Sequence, residues 1–379
     1  MTVAITDARA ETVGSLLRPD YLLESLAARQ TGAANDGDLA AAEELTAVED
    51  RAVLEAIAMQ EAAGLDIVSD GEMRRLSFQS QMTEAVSGFG PCDLDAFLWG
   101  DWQGGDGQKP VNRPRPDGLG VTGKLTPKRF LSAHEYSFLA ANTARIPKIT
   151  LPSPGLFANF YVPGLAPPAY PTLDAFIADV VGILSDEVRE LARLGTRYIQ
   201  IDAPHYPLLM QPKMREFYQS TGWDMEHWLA RGIEADNAVI AAAPEVSFAL
   251  HLCRGNQQGR WLAAGGYDSL ARQVFGRTSA RRLLLEYDDH RSGGFEPLAE
   301  VPDDKWVVLG LISTKQPALE DAGALCRRID DAARYIGRER LAISPQCGFS
   351  SSILPGALNQ TDQAAKLRLL VEVAKMAWG

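Results

Sequence analysis

Eight short apolar runs, each passing directly into polar or conformationally special residues, constrain this chain more than any other feature. They are Thr12 to Leu16, Leu65 to Val68, Lys148 to Leu151, Tyr198 to Ile201, Val246 to Leu252, Leu283 to Leu285, Trp306 to Leu311 and Leu341 to Ile343. Between most of them lie Ala- and Leu-rich segments with helical spacing: Ala40 to Ala63, Leu173 to Leu194, Met225 to Ala243, Ala318 to Ile336 and Asp362 to Trp378. Strands that alternate with helices form a parallel sheet, and eight such units close into a barrel. The runs end in Gly14-Ser15, Asp70-Gly71-Glu72, Pro152-Ser153-Pro154, Asp202-Ala203-Pro204-His205, Cys253-Arg254-Gly255-Asn256, Glu286-Tyr287-Asp288-Asp289, Ser313-Thr314-Lys315 and Ser344-Pro345-Gln346-Cys347-Gly348. Barrel enzymes gather their chemistry at the C-terminal ends of all their strands, whereas an open doubly wound sheet concentrates it at one switch point. The expectation is an α/β fold, a (β/α)8 TIM barrel, with residues 1–379 forming one catalytic domain.

One stretch breaks the alternation. About 70 residues between Arg75 and Lys148 are rich in Gly and Pro, and a structureless loop of that length is improbable in a compact domain. Residues 76–147 are therefore read as an insertion after the second strand. It is expected to carry a β-hairpin near Val111 to Leu125 and a helix near Pro127 to Asn142, lying across the barrel mouth. Within it, Gly118-Leu119-Gly120-Val121-Thr122-Gly123-Lys124 imitates a nucleotide-binding loop. Its context rejects that reading. The segment follows Pro114 and Pro116 rather than a buried strand, and Leu125 stands where a phosphate loop needs Ser or Thr.

Charge narrows the partners. Forty-nine acidic against 37 basic side chains give a formal net charge of −12, a field that repels nucleic acid and anionic membranes. No run of about 18 apolar residues reads as a membrane span, and the N-terminus lacks the pattern of a signal peptide. Four cysteines are too few for a disulfide scaffold in so long a chain. The expectation is a cytoplasmic protein with reduced thiols, acting on small molecules and possessing a metal site or nucleophile among its cysteines. Homo-oligomerisation is left open by the sequence.

His251-Leu252-Cys253 ends the fifth run. Strand side chains alternate faces, so residues two apart point the same way and both can face one ion. Glu286 ends the sixth run and Cys347 follows the eighth. Thiolate, imidazole and carboxylate together suit zinc, with three firm ligands and one replaceable one marking a catalytic site. The plain alternative is that Cys253 and Cys347 are small buried hydrophobes and His251 a core histidine. Cys326, mid-helix in Ala324-Leu325-Cys326-Arg327, is read that way, and Cys92 is assigned no role.

The runs His251-Leu252-Cys253-Arg254-Gly255-Asn256, Leu285-Glu286-Tyr287-Asp288 and Ser344-Pro345-Gln346-Cys347-Gly348-Phe349 resemble the cobalamin-independent methionine synthase superfamily. Thr12-Val13-Gly14-Ser15, Asp70-Gly71-Glu72 and Gln200-Ile201-Asp202-Ala203-Pro204 resemble further motifs of its catalytic barrel. The resemblance spans nearly the whole chain, in order. It implies zinc held by His251, Cys253, Glu286 and Cys347, and methyl transfer to a small thiol such as homocysteine, hence methionine biosynthesis. It also implies that Glu72 and Asp202 grip the thiol's amino group and Ser15 its carboxylate end. Bare residue reasoning leaves Glu72 as a solvated loop acid and Asp202 as a turn cap. Arg18 is carried as a cation for an anionic substrate group, with a surface ion pair as its equal alternative.

The chain departs from that pattern in three places. It has no room for the second barrel of full-length synthases, the histidine expected after the seventh strand is replaced by Ser313-Thr314-Lys315, and Ala203 stands where an acidic residue usually follows the Asp202 position. Methyl transfer from a folate needs an acid for its leaving amine. His205 or His290 remains to supply that proton, with His205 carried as the catalytic candidate. The donor is accordingly open: a folate, a methyl group on a corrinoid protein, a sulfonium, a methoxy compound or an epoxide. Short single-barrel relatives include epoxyalkane:coenzyme M transferases, so epoxide opening by a thiol stands as an alternative, with Ser313-Thr314-Lys315 and Arg18 meeting an anionic thiol. A zinc hydrolase and a non-catalytic metal-binding relative complete the field.

Overall fold

The computed structural model describes residues 4–30, 39–90, 99–105, 108–164, 166, 169–354 and 356–379; Cys92 lies outside them. Seven parallel strands form one curled sheet: β1 (Ile67–Val68), β6 (Ile146–Pro152), β7 (Tyr198–Asp202), β8 (Ser247–Leu252), β9 (Arg282–Glu286), β10 (Trp306–Ile312) and β11 (Leu341–Pro345), adjacent in that order. The numbers missing from this series belong to the insertion.

The eighth stave is the segment from Ala8 to Leu16. Ala10 bridges Ile343 in parallel, and the Glu11 amide donates to the Ile343 carbonyl at 3.2 Å. On the other side the Leu16 amide donates to the Gly71 carbonyl at 3.0 Å, just beyond β1. The sequence places a strand at Thr12 to Leu16, yet the sheet bridge lies earlier and is a single pair. Side chains explain the difference. The Thr12 carbonyl accepts from Lys148 Nζ and the Gly14 carbonyl from the Ser69 hydroxyl, so groups that a ladder would use are already bonded. The second run is shortened similarly, because the Gln60 amide side chain binds both the amide and the carbonyl of Ser69.

Every stave sends a side chain into one closed apolar layer: Ala8, Val13, Ile67, Ile146, Tyr198, Ala249, Leu284, Val308 and Ala342 pack together inside the barrel. The same period of two then carries Thr150, Asp202, His251 and Glu286 to the C-terminal rim of the barrel interior. Close to the apolar layer is a buried ionic group. Glu11 is paired with Lys148 at 3.0 Å and with Arg282 at 2.8 Å, and accepts from the Tyr198 hydroxyl at 3.0 Å. Burial alone would raise the Glu11 carboxyl; the two cations reverse this and hold it below the usual range.

The outer helices follow the sequence pattern. Leu173–Arg193 buries Phe176, Ile177, Val180, Leu184, Val188 and Leu191 at helical spacing, and its N-cap Thr172 accepts from the Ala175 amide at 3.2 Å. Gln360–Trp378 begins with a capping box between Asn359 and Asp362. The helix expected from Ala318 to Ile336 is shorter, Ala322–Ala332, because Asp321 caps its start.

The insertion departs from the expected hairpin. β4 (Val111–Arg113) pairs antiparallel with β3 (Gly100–Trp102), whereas β5 (Val121–Pro127) pairs antiparallel with β2 (Val86–Phe89). Pro114 and Pro116 lie between β4 and β5, and proline has no amide to give a ladder. The partners β2 and β3 are short and glycine-containing, which hides them from periodicity. Pro127 ends a strand instead of starting a helix, so the helix is Ala133–Ala141. The nucleotide-loop imitation lies largely in β5, with Lys124 paired to Asp179 at 2.6 Å.

Candidate metal centre

The ends of β8 and β9 and the turn after β11 bring His251, Cys253, Glu286 and Cys347 together, one ligand atom of each lying within 4.8 Å of the others. Cys253 Sγ and Cys347 Sγ are 3.3 Å apart. His251 is buried, and both its ring nitrogens are buried without a partner. Burial first, and then Lys148, push the imidazole down to about 3, so it is neutral and keeps a lone pair. A buried imidazole with two unsatisfied nitrogens is costly unless something binds it. The neighbouring Cys253 sulfur, and then burial, push the Cys347 thiol well above its usual range. A divalent cation would reverse that preference, since it favours thiolate. This donor set fits zinc.

The carboxylate is held from behind. Glu286 Oε1 accepts from the Arg254 amide at 2.7 Å, and Oε2 from Arg291 at 3.1 Å. Arg291 also binds Asp288 at 3.1 Å and Asp289 at 3.0 Å, and Lys315 pairs with Asp288. Gly348 allows the turn after Cys347 to pass Ser15, because a Cβ there would collide with Ser15 Oγ.

A cavity partly open to solvent rises above these residues and includes His251, Cys253 and Cys347 in its wall. Ser15, Glu72 and Asp202 line it as well. Glu72 occupies the left-handed region at φ 57°, which aims it inward from the turn after β1. Its Oε1 accepts from the Thr150 hydroxyl at 2.7 Å, while Oε2 is buried without a partner. Arg75, fully buried, is 3.5 Å from Glu72 Oε1, 2.7 Å from Glu135, and donates to Thr150 Oγ1 at 2.8 Å. Gly14 leaves room for this arrangement, since a Cβ there would stand 2.8 Å from Glu72 Oε1. Burial, followed by the Glu72 charge, pushes the Asp202 carboxyl up to about 8. Gln200 Nε2 donates to Asp202 Oδ1 at 2.7 Å, and its Oε1 accepts from Lys148 at 3.0 Å, tying the rim to the ionic group below.

Three candidates from the sequence lie elsewhere. Arg18 is neither a surface ion pair nor a wall residue: its NH groups donate to the carbonyls of Glu72, Arg75, Ser350 and Ser352, stitching two loops together. His205 begins a short helical turn away from the cavity wall, fully buried against Tyr206 with ring centroids 4.1 Å apart. Burial pushes its imidazole down to about 3, so at neutral pH it lacks the imidazolium proton that a general acid would give. His290 is exposed in a 3-10 turn. Thr314 is bonded to Asn256 at 2.8 Å, and Lys315 is already engaged by Asp288, so the Ser313-Thr314-Lys315 segment leaves no free cation for an anionic thiol. Cys326 packs half-buried against the core, as its helical position implies.

Sequence reasoning missed the cavity's outer wall. Trp99 and Trp102, at the start of the insertion's β3–β4 pair, and Tyr218, in the helix Pro212–Ser220, face the same space as the two cysteines. The pair is fastened to the loop after Cys253 by reciprocal amide bonds between Gln103 and Trp261, at 2.7 and 3.0 Å. Nothing in the spacing of Trp99 and Trp102 signals this. Thr150 and Gln200 were legible in principle, because each shares a strand face with a rim residue.

Residues 170–376 match the family model described as the catalytic domain of cobalamin-independent synthase. YxjH of Bacillus subtilis, a protein of unassigned function, is 33% identical over 98% of this chain and 94% of its own length. The methionine synthase of Pyrococcus abyssi is 25% identical over 89% of this chain and 85% of its own. Among solved structures, a B12-independent methionine synthase from Shewanella, in complex with selenomethionine, superposes with a TM-score of 0.71 at 20% identity, covering 97% of each chain.

Proposed function

This chain belongs to the cobalamin-independent methionine synthase family, and from that premise we propose that it is a zinc-dependent methyltransferase acting on a small amino-acid thiol of the homocysteine kind. The observation that carries this reading is the cluster of one imidazole, two thiols and one carboxylate whose ligand atoms lie within 4.8 Å, with both His251 nitrogens otherwise unbonded. His251, Cys253, Glu286 and Cys347 would hold the ion, and zinc would supply a site where the substrate thiol stays a thiolate at neutral pH.

The chain's own residues do the rest. Cys253, Cys347 and Glu286 would together more than balance a divalent ion's charge, so a thiolate held beside them would stay electron-rich. Glu286 would be the least firmly bound of the four, since a hard carboxylate holds zinc less firmly than sulfur. The Arg254 amide and Arg291 already bind it and would keep its charge compensated. Glu72 and Asp202 would take the substrate ammonium, with the unpartnered Glu72 Oε2 as first acceptor. Ser15 would meet the carboxylate end. Trp99 and Trp102 would limit water above the reacting sulfur.

Among the described residues the cavity wall carries two carboxylates and no lysine or arginine, which favours a thiol bearing an ammonium over one bearing a sulfonate. The same reading takes residues 1–379 as one catalytic unit with 76–147 inserted in it, working on small molecules in the cytoplasm. Among the described residues no helix is long and apolar enough to cross a membrane.

Zinc per chain in purified protein, by elemental mass spectrometry, is the direct test, followed by X-ray absorption on adding homocysteine. About one zinc per chain and one additional sulfur neighbour are expected. Protein that stays metal-free after reduction and zinc addition would leave a non-catalytic relative. Bound zinc that gains no sulfur would turn the reading towards hydrolysis.

A further inference from the structure

The cavity over the metal-ligand cluster has a charge pattern that bears on the second substrate. Its wall carries two carboxylates, Glu72 and Asp202, and among the described wall residues no lysine or arginine; behind the wall Arg75 lies 3.5 Å from Glu72. Neighbouring cations are already engaged behind the wall: Arg18 by four carbonyls, Arg75 by Glu72, Glu135 and Thr150, Lys315 by Asp288. Much of the remaining wall is apolar or aromatic, with Phe78, Trp99, Trp102 and Tyr218 among its members. Such a space disfavours an anionic donor and accepts a cation, which aromatic rings attract.

Resting on the thiol-methylation reading, we propose that the methyl donor at this site is a sulfonium, a trivalent sulfur cation seated against Trp99 and Trp102. The substrate thiolate sulfur forms a new bond to the methyl carbon. The old carbon–sulfur bond breaks, and its electron pair stays on the departing sulfur, which leaves as a neutral thioether. The charges −1 and +1 cancel, and neither a proton nor an external electron is exchanged.

Two features of the chain suit this step. First, it asks for no acid. The strand-end segment Ser313-Thr314-Lys315 provides no histidine, and His205 is sealed away from the cavity. Second, a reaction in which opposite charges annihilate gains from a largely apolar wall, because the charges attract more strongly beside it than in open water. Transfer from a neutral donor to a thiolate only moves the negative charge and has no such gain. A quaternary ammonium shares the positive charge, but its amine is a poorer leaving group than a thioether.

The test uses the zinc-loaded protein with homocysteine and, separately, S-methylmethionine, glycine betaine, methyltetrahydrofolate and methylcobalamin. Thiol consumption and methionine are the readouts. With S-methylmethionine two methionines should appear per thiol consumed, at a kcat/KM on the order of 100-fold above the other donors. Trp102→Leu should raise the KM for S-methylmethionine roughly tenfold while leaving that for homocysteine unchanged, and Trp102→Phe should recover part of the loss. Methionine formed from the folate or the corrinoid but not from the sulfonium would overturn the proposal and leave thiol methylation standing. Turnover with betaine alone would overturn it in favour of an ammonium donor. Failure with every donor, together with zinc that gains no sulfur neighbour from homocysteine, would remove the underlying reading as well.

Discussion

Cys253 Sγ lies 3.3 Å from Cys347 Sγ, although 94 residues separate the two in the chain. The Cys347 thiol is pushed well above its usual range by its neighbour and by burial. A buried and a half-buried thiol against an unpartnered imidazole form an arrangement that metal binding would stabilise.

Cys347→Ser is expected to lose most of the zinc and all methyl transfer while keeping the far-UV circular dichroism of the parent. Elemental analysis of the dialysed variant is the check. Full activity in that variant would detach the cluster from the chemistry.

Glu72→Gln should weaken a thiol substrate through its ammonium. A hydrogen bond to a charged group contributes about 1.5–3 kcal/mol, so the KM for homocysteine should rise roughly 10- to 100-fold. A thiol of similar size without the amino group should be nearly unaffected. Equal losses for both thiols would mean that Glu72 acts only through the fold.

Arg75→Met leaves Glu135 and Glu72 buried without their cation. Removing one partner of a buried ion pair costs about 3–5 kcal/mol, and urea unfolding should show a loss of that order. A change below about 1 kcal/mol would show that the pair is nearly neutral to stability.

Asp202 gives a pH signature in metal-free protein. Its folded value, near 8, is above the ordinary carboxylate value of 3.8, so the folded state holds a proton that the unfolded chain releases. Stability contributed by this residue is therefore full below pH 3.8, falls between 3.8 and about 8, and is level above that. Asp202→Asn should gain on the parent across that interval. A difference between the two that stays constant from pH 4 to 8 would contradict the environment described for this carboxyl.

His205→Leu should retain zinc and keep kcat within about threefold, a change of less than 1 kcal/mol. A loss of several orders of magnitude would bring the histidine back as a proton donor despite its position away from the cavity wall.

Much of this was legible in the sequence because it depends on local rules. A strand period of two places His251 and Cys253 on one face, and the helical period of Leu173–Arg193 is written in its apolar residues. Recurring strand ends with polar residues indicated a barrel rim. The insertion was harder to read. Val111 to Leu125 has hairpin composition, yet its two halves pair with β3 and β2, and strand partnership is a property of where backbones meet.

The sequence by itself indicated eight apolar runs and the residue types at their ends, which follow from side-chain alternation; the four-residue donor set of the candidate metal site rested on the family resemblance as well. Only the tertiary structure decided that Arg18 serves backbone carbonyls, that His205 is sealed in the core, that Arg75 and Thr150 hold Glu72, and that Trp99 and Trp102 cover the rim. Each depends on burial and on partners far away in the chain. A cation or an imidazole reads the same in sequence whether it faces a substrate or a carbonyl; its surroundings set its charge, its partners and hence its role.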